Sequence, residues 1–408
     1  MNNNNNNNGN WHQHDGKAES CPNNQQPNNS QSATSQQHYA QQNYNQATNQ
    51  PQYCAQQYFS QASAQPQQTA SYTPYMYNYV PSPAERQNAQ RLCEKRTMRK
   101  LGNRTGWSAC TMVIGMTIIF IMVYIILNSI SPNADYTTEE CISNLSNSIA
   151  AMLSMFSGGF ILLGLTNTKL SDAVTFKRIQ TPKRCATAFL IGLGTIPICN
   201  LIAELAASNL TLIGIENKDY GATNGTPEIT VFYVLVQILC TAIVPAISEE
   251  FLFRGAILGA LKPYGQGFAI IMSSILFGMV HGNLGQIPFA TGGGIFFAFL
   301  TIYTGSMLPS MILHGLNNLL SLIIEILFQV SNENTAYAVL ITYYLIFSIV
   351  AVIAFVKLSR SDKKLLQLKK PNSVINEKEK AVSFIISPGF IVFVALIAFE
   401  TISAYLMY

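Results

Sequence analysis

The chain has 408 residues, of which only 11% are charged, with a formal net charge of +4 and a mean hydropathy of +0.20. A soluble domain carries about 25% charge, so the composition argues against a wholly soluble protein, and the small net charge argues against a nucleic-acid partner. The eight cysteines show no CxxC and no Cys/His zinc spacing, so neither a disulfide framework nor a structural zinc site is expected.

Residues 1–83 form a polar, low-complexity segment. Asn and Gln supply 33 of those 83 positions, with tyrosines such as Tyr39, Tyr53, Tyr72 and Tyr79 between them. Such a stretch has little to bury against the entropy of ordering, so a disordered tail is expected. Its first forty residues hold no apolar core, so no secretory signal peptide is read there. His12, His14 and His38 lie in the tail without metal-ligand spacing. A basic juxtamembrane segment follows over 84–106, with Arg86, Arg91, Lys95, Arg96, Arg99, Lys100 and Arg104.

From 107 to 408 the pattern is that of an all-α, polytopic helical membrane domain. A spanning helix needs about 20 mostly apolar residues, and nine segments qualify: 107–130, 146–166, 185–207, 228–248, 267–283, 286–304, 307–328, 336–357 and 382–407. A short separate helix is expected over 249–261. The loops alternate in charge, with Asp135, Glu139 and Glu140 in the first and Lys169, Lys177, Arg178, Lys183 and Arg184 in the second. Glu216 and Asp219 mark the third, and Arg360, Lys363, Lys364, Lys369 and Lys370 the loop at 358–381. Nine spans place every basic loop in the cytoplasm, with the N-terminus inside and the C-terminus outside. The Asn-rich tail and compact core suggest a bacterial plasma-membrane protein with the lipid bilayer as its surroundings.

Ionisable groups inside a membrane are costly and mark function by default. Those here are Glu204, Glu249, Glu250, Arg254, His281, His314, Glu325 and Glu400. Glu250 and Arg254 are four apart and share a helix face, while Glu249 points about 100° away. Phe277 and His281 are one turn apart, as are His314 and Asn318. Taken singly, His281 reads as a packed core histidine, and the His314/Asn318 pair is as easily structural as functional. Together the three groups bring a carboxylate, two imidazoles and a carboxamide from different helices to where they can surround a water and a peptide carbonyl. Gly292, Gly293 and Gly294 follow no strand and precede no Lys-Ser/Thr pair, so they are no phosphate loop; small residues in a spanning helix more often permit close helix contact. Glu325, two turns beyond Asn318, is read as structural, with the same cavity as its alternative place.

The stretch Ser248–Leu261 with EExxxR, the FxxxH at Phe277–His281 and the TGSxxPSxxxHxxxN from Thr304 to Asn318 resemble the CPBP family. These are CAAX-protease and bacteriocin-processing, Abi-type intramembrane endopeptidases, and the resemblance covers about residues 230–325. It implies that Glu249 activates water with help from His281, that His314 and Asn318 stabilise the oxyanion, and that Glu250 and Arg254 order the site. It implies a peptide or membrane-protein substrate, prenylated in the CAAX branch and processing- or immunity-related in bacteria, cut near the cytoplasmic side, where Glu249 would end its span. A metal-free glutamate mechanism is favoured and no cofactor is expected. Zinc on Glu249, His281 and His314 is the alternative, since these are zinc-type donors, although no HExxH is present. The rival class is a non-enzymatic membrane protein, transporter-like or a scaffold, with a buried Glu/His network; transport would be favoured by internal repeats, and none is visible.

Overall fold

The computed structural model describes residues 81–179, 181–212, 226–363 and 365–407. The expectation of a disordered tail falls almost wholly on residues 1–80, outside the described residues, as do the third-loop residues Glu216 and Asp219. The described chain is helical, in ten main elements: α1 (Pro83–Ile130), α2 (Tyr136–Thr166), α3 (Pro182–Leu212), α4 (Val231–Tyr264), α5 (Gln266–Met279), α6 (Gln286–Thr304), α7 (Leu308–Val330), α8 (Glu333–Ser361), α9 (Glu377–Ile385) and α10 (Pro388–Met407). Among the described residues, Cys110, Cys141, Cys185, Cys199 and Cys240 are in no disulfide.

Helix starts follow the capping chemistry of the sequence. Ser82 and Glu85 form a reciprocal capping box, with Pro83 in the first turn of α1, where its missing N–H costs nothing. The basic segment 84–106 is therefore the first half of a 48-residue helix that continues into the first span. Asp135 and Asn332 cap α2 and α8 by accepting the N–H of Thr138 and Thr335, and Asn376 forms a second capping box with Glu379 at α9.

By length and composition, seven described helices are long and apolar enough to cross a membrane, or eight if the bent pair α9–α10 counts as one span. The nine expected spans thus need three corrections. The fourth span and the short helix expected at 249–261 are one continuous helix, Val231–Tyr264, of 34 residues, with Glu250 and Arg254 paired inside it. Glu249 consequently lies in the interior of α4 and not at the end of a span. The fifth segment, α5, has 14 residues, about 21 Å, against a hydrocarbon core of about 30 Å. The ninth is bent by 69° between α9 and α10, where Pro388 cannot continue the helix before it.

Hydrogen bonds sort the loops into two ends. Gln266 N–H donates to the Lys369 carbonyl at 3.1 Å, and Lys369 N–H donates to Gln266 Oε1 at 2.7 Å. Four helices, α5 to α8, separate these contacts in the chain. Three of them are of spanning length, so α5 supplies the fourth reversal despite being short. At the same end Glu94 of α1 accepts from the Ser373 hydroxyl and the Val374 and Ile375 N–H groups. Arg91 and Lys95 pair with Glu379, buried Lys380 donates to the Tyr264 carbonyl, and Arg184 pairs with Asp362. At the other end Thr137 accepts from the Glu228 N–H and Glu140 from the Tyr233 hydroxyl. The first end carries the basic residues, so it is expected to face the cytoplasm. A reporter in the 358–381 loop is then expected to read as cytoplasmic and one fused after Tyr408 as exterior; both on one side would remove α10 from the set of crossings.

The core sits where α4 threads the bundle. Its segment Glu250–Leu261 is buried throughout. It packs on α2 through Phe251, whose ring stacks on Phe156 at 4.5 Å, and it also adjoins α5 and α7. α1 meets α10 closely enough that a Cβ on Gly106 would overlap the backbone of Gly389. α3 lies between α6 and α8.

Candidate active site

α4 is not a regular α-helix. It widens into π-helical turns at Ile238–Ile243 and Phe251–Ile257, on either side of Val244–Glu250. π-turns are uncommon and recur at functional sites, and here the sequence supplies a cause. Pro245 has no N–H to give the carbonyl four residues earlier, that of Thr241. Asn318 Nδ2 of α7 donates to that carbonyl at 2.9 Å. The neighbouring Cys240 carbonyl receives the Ser148 hydroxyl of α2 at 3.1 Å. Side chains from two other helices thus satisfy backbone acceptors inside the bundle, where an unpaired group would be costly.

Glu250 and Arg254 meet as their spacing predicts. Both are almost completely buried. Arg254 Nη1 stands 2.9 Å from Glu250 Oε1, an ion pair whose angle falls outside that of a hydrogen bond. The guanidinium lies 4.2 Å from the centre of the Phe277 ring and 5.1 Å from that of Phe297, so ring faces replace water around the cation. Its Nη2 donates to the Gly294 carbonyl at 3.4 Å.

The same Glu250 oxygen accepts from His314 Nδ1 at 3.0 Å. A carboxylate can only accept, so the proton is on Nδ1, and Nε2 is turned toward Glu249, 3.7 Å from its Oε2. That distance is too long for a hydrogen bond. Among the described residues, Glu249 Oε2 is buried and has no hydrogen-bond partner. The imidazole is stacked on Phe297 at 5.2 Å and 21°, which fixes its plane.

His281 lies two residues beyond the end of α5, not within a helix as its spacing suggested. Its Nδ1 hydrogen-bonds to the Phe277 carbonyl at 2.8 Å, which caps the helix end and leaves the lone pair on Nε2. The ring meets Phe277 edge to face at 5.0 Å.

Glu249, His281, His314 and Asn318 all line one cavity of about 60 Å³, together with Asn317, Phe277, Ile196 of α3, and Phe289, Ala290, Gly293 and Phe297 of α6. A water needs roughly 10–15 Å³ of such space, so the cavity holds a few waters or a small part of a substrate. Glu250 and Arg254 stand behind it and hold His314. Glu325 does not line it. Asn317, which the motif spacing passed over, is buried in the wall and donates to Asn318 Oδ1 at 2.9 Å; two consecutive amides in an apolar helix were the available signal.

The residues of the alternative zinc set, Glu249, His281 and His314, all line this cavity. No group of three His, Cys, Asp or Glu side chains among the described residues is placed to hold a metal ion. His314 is held through Nδ1 by Glu250, and its Nε2 stands 3.7 Å from Glu249 Oε2.

Comparison with known proteins places the resemblance on this same region. Residues 231–320, which contain α4 to most of α7, match the family model described as type II CAAX prenyl endopeptidase Rce1-like. A putative membrane peptidase, YdiL, of Bacillus subtilis is 34% identical over 94 residues, 23% of this chain and 38% of that protein. The membrane-embedded CAAX protease MroQ of Staphylococcus aureus is 22% identical over 177 residues, 40% of this chain and 68% of that protein. The chain thus spans under two fifths of the length of the first of these relatives. No solved structure matches.

Proposed function

We propose that this chain, which belongs to the CPBP family through its core at residues 231–320, is a membrane endopeptidase that hydrolyses a peptide bond of a membrane-associated peptide or protein with Glu249 as general base. The observation that carries this reading is the free, buried Glu249 oxygen facing a cavity shared with two imidazoles of fixed orientation.

In this mechanism a water lies between Glu249 and the scissile carbonyl. His281 Nε2 accepts one of its hydrogens and aligns it. Glu249 takes the other as the oxygen attacks the carbonyl carbon, and the carbonyl π pair moves to oxygen. His314, protonated on both nitrogens, donates from Nε2 to that oxyanion. With His314 as a cation the cluster sums to zero, two carboxylates against Arg254 and His314, which is the charge state burial tolerates best. Asn318 spends one N–H on the Thr241 carbonyl and turns the other to the oxyanion. Collapse of the intermediate breaks the C–N bond, and Glu249 returns its proton to the leaving amine.

The test is cleavage of a peptide library, with prenylated and unmodified arms, by purified protein in detergent. Wild type is expected to cut and Glu249→Ala to be inactive; equal cleavage by both would refute the assignment. Chelators are expected to leave the rate unchanged, because no step passes through a metal. Activity that vanishes with chelator and returns with zinc would make Glu249, His281 and His314 ligands and overturn the general-base role.

A further inference from the structure

The three consecutive glycines of α6 are not equivalent. A Cβ on Gly292 would sit 2.7 Å from Cys199 Sγ, and one on Gly294 would sit 3.0 Å from the Phe277 ring and 3.2 Å from Ser274 Cβ. Both face close neighbours on α3 and α5, as the sequence pattern suggested, with the tighter contact at Gly292. At Gly293 a Cβ would meet nothing within 4 Å, and its backbone is not in the left-handed region that only glycine adopts easily. Neither packing nor conformation asks for glycine there, and glycine is the poorest helix former after proline.

What Gly293 does have is a place in the wall of the cavity. Phe289, Gly293 and Phe297 are spaced four apart, so they form one stripe along α6, and all three line the cavity. The missing side chain opens a notch between two aromatic rings, with Ile196 of α3 in the same wall. This wall is wholly apolar, whereas Glu249, the two histidines, Asn317 and Asn318 supply the polar groups.

Building on the endopeptidase reading, we propose that the Gly293 notch is a specificity subsite that receives an uncharged, apolar side chain of the residue flanking the scissile bond. A charged side chain there would lose its water among Phe289, Phe297 and Ile196 without gaining a partner. A peptide bond presented to Glu249 has its neighbouring side chain within reach of this wall. The absent Cβ sets the upper size of what fits. Phe297 is a poor probe, because it also carries the stacked His314; Gly293 is a clean one.

The experiment uses the full chain in detergent with Gly293→Ala and Gly293→Leu. First, cleavage is measured on peptides carrying Leu, Phe, Ala or Asp beside the scissile bond. The ratio of kcat/KM for Leu or Phe over Ala is expected to fall about 10–100-fold in Gly293→Leu, the range one or a few methylenes command in an apolar pocket, with a smaller fall in Gly293→Ala and the change mainly in KM. Because Gly293→Ala meets no atoms, its thermal midpoint in detergent should not fall, so a loss of preference is not misfolding. Second, binding of non-cleavable Leu and Ala peptides to Glu249→Gln protein, with and without the Gly293 substitutions, gives the same comparison without turnover. A Leu-over-Ala preference that Gly293→Leu leaves unchanged, or the absence of any such preference in the parent protein, overturns the subsite. A preference that follows Gly293 while Glu249→Gln still cleaves at the parental rate would instead retain the subsite and reject Glu249 as base.

Discussion

With Glu249 as the proposed general base, Glu249→Gln is expected to reduce kcat by about 10²–10⁴-fold, the usual worth of such a group, while the protein stays folded and binds substrate with little change. Glutamine keeps the shape of the side chain, but its amide cannot take a proton from water at neutral pH. Stability should hardly move, because the oxygen concerned has no hydrogen-bond partner among the described residues and its neighbour His314 keeps its bond to Glu250. Single-turnover kinetics on a peptide that the wild type cleaves, with a thermal unfolding curve in the same detergent, separates the two quantities. A variant that cleaves at the parental rate would end the general-base assignment. One that unfolds would make Glu249 structural.

Glu250→Gln gives the opposite pattern, with loss of stability first and of rate as a consequence. Removing one partner of a buried ion pair costs about 3–5 kcal/mol, because the remaining charge is left without compensation. Arg254 is 2% exposed, and aromatic rings stand in place of water around it. Against a typical total stability of about 5–15 kcal/mol, the variant should show a much lower unfolding midpoint. The activity that survives should also suffer, since His314 loses the carboxylate that accepts from its Nδ1 and orients its ring. The double variant Glu250→Gln, Arg254→Met removes both charges and is expected to recover much of the stability without recovering the rate. A Glu250→Gln protein as stable as the parent would show that the pair does not hold the site together.

Much of this site was legible in the sequence, because its information is local. The spacing Glu250–Arg254 predicts an ion pair, and 2.9 Å separates the charges. The restriction of non-tail histidines to His281 and His314 pointed to the two imidazoles that share the cavity. What escaped the sequence depends on partners distant along the chain. The first π-turn of α4 is anchored by Ser148 and Asn318, 92 and 77 residues away from the carbonyls they satisfy. The break expected near residue 249 is absent, and the helix runs on from Val231 to Tyr264. The length of α1 escaped because charged residues argue against a span without arguing against a helix. The apolar wall of the cavity was invisible for a related reason. In a membrane protein apolar side chains face lipid and interior alike, so Ile196, Phe289 and Phe297 carry no mark that sets them apart from the residues around them.

The placement of the buried ion pair also bears on how the chain enters the bilayer during its synthesis. An isolated arginine in mid-helix resists membrane insertion by about 2.5–3.5 kcal/mol on translocon scales, and an isolated glutamate also resists it. Glu250 and Arg254 emerge together on one helix and cancel within a single turn, so the pair needs no other helix to enter, and Glu249 is the carboxylate that α4 carries in beside it. The histidine that later takes the second contact on Glu250 lies 64 residues further on, roughly 3–12 s of translation at ordinary rates. Assembly therefore has an order written into it: the charge pair is made first and alone, and the imidazole docks onto a carboxylate already held in place. Moving Arg254 to another helix while preserving the final contact would keep the finished site but expose a lone cation to the translocon. Such a rearranged chain should fail at insertion, long before any catalytic defect could be measured.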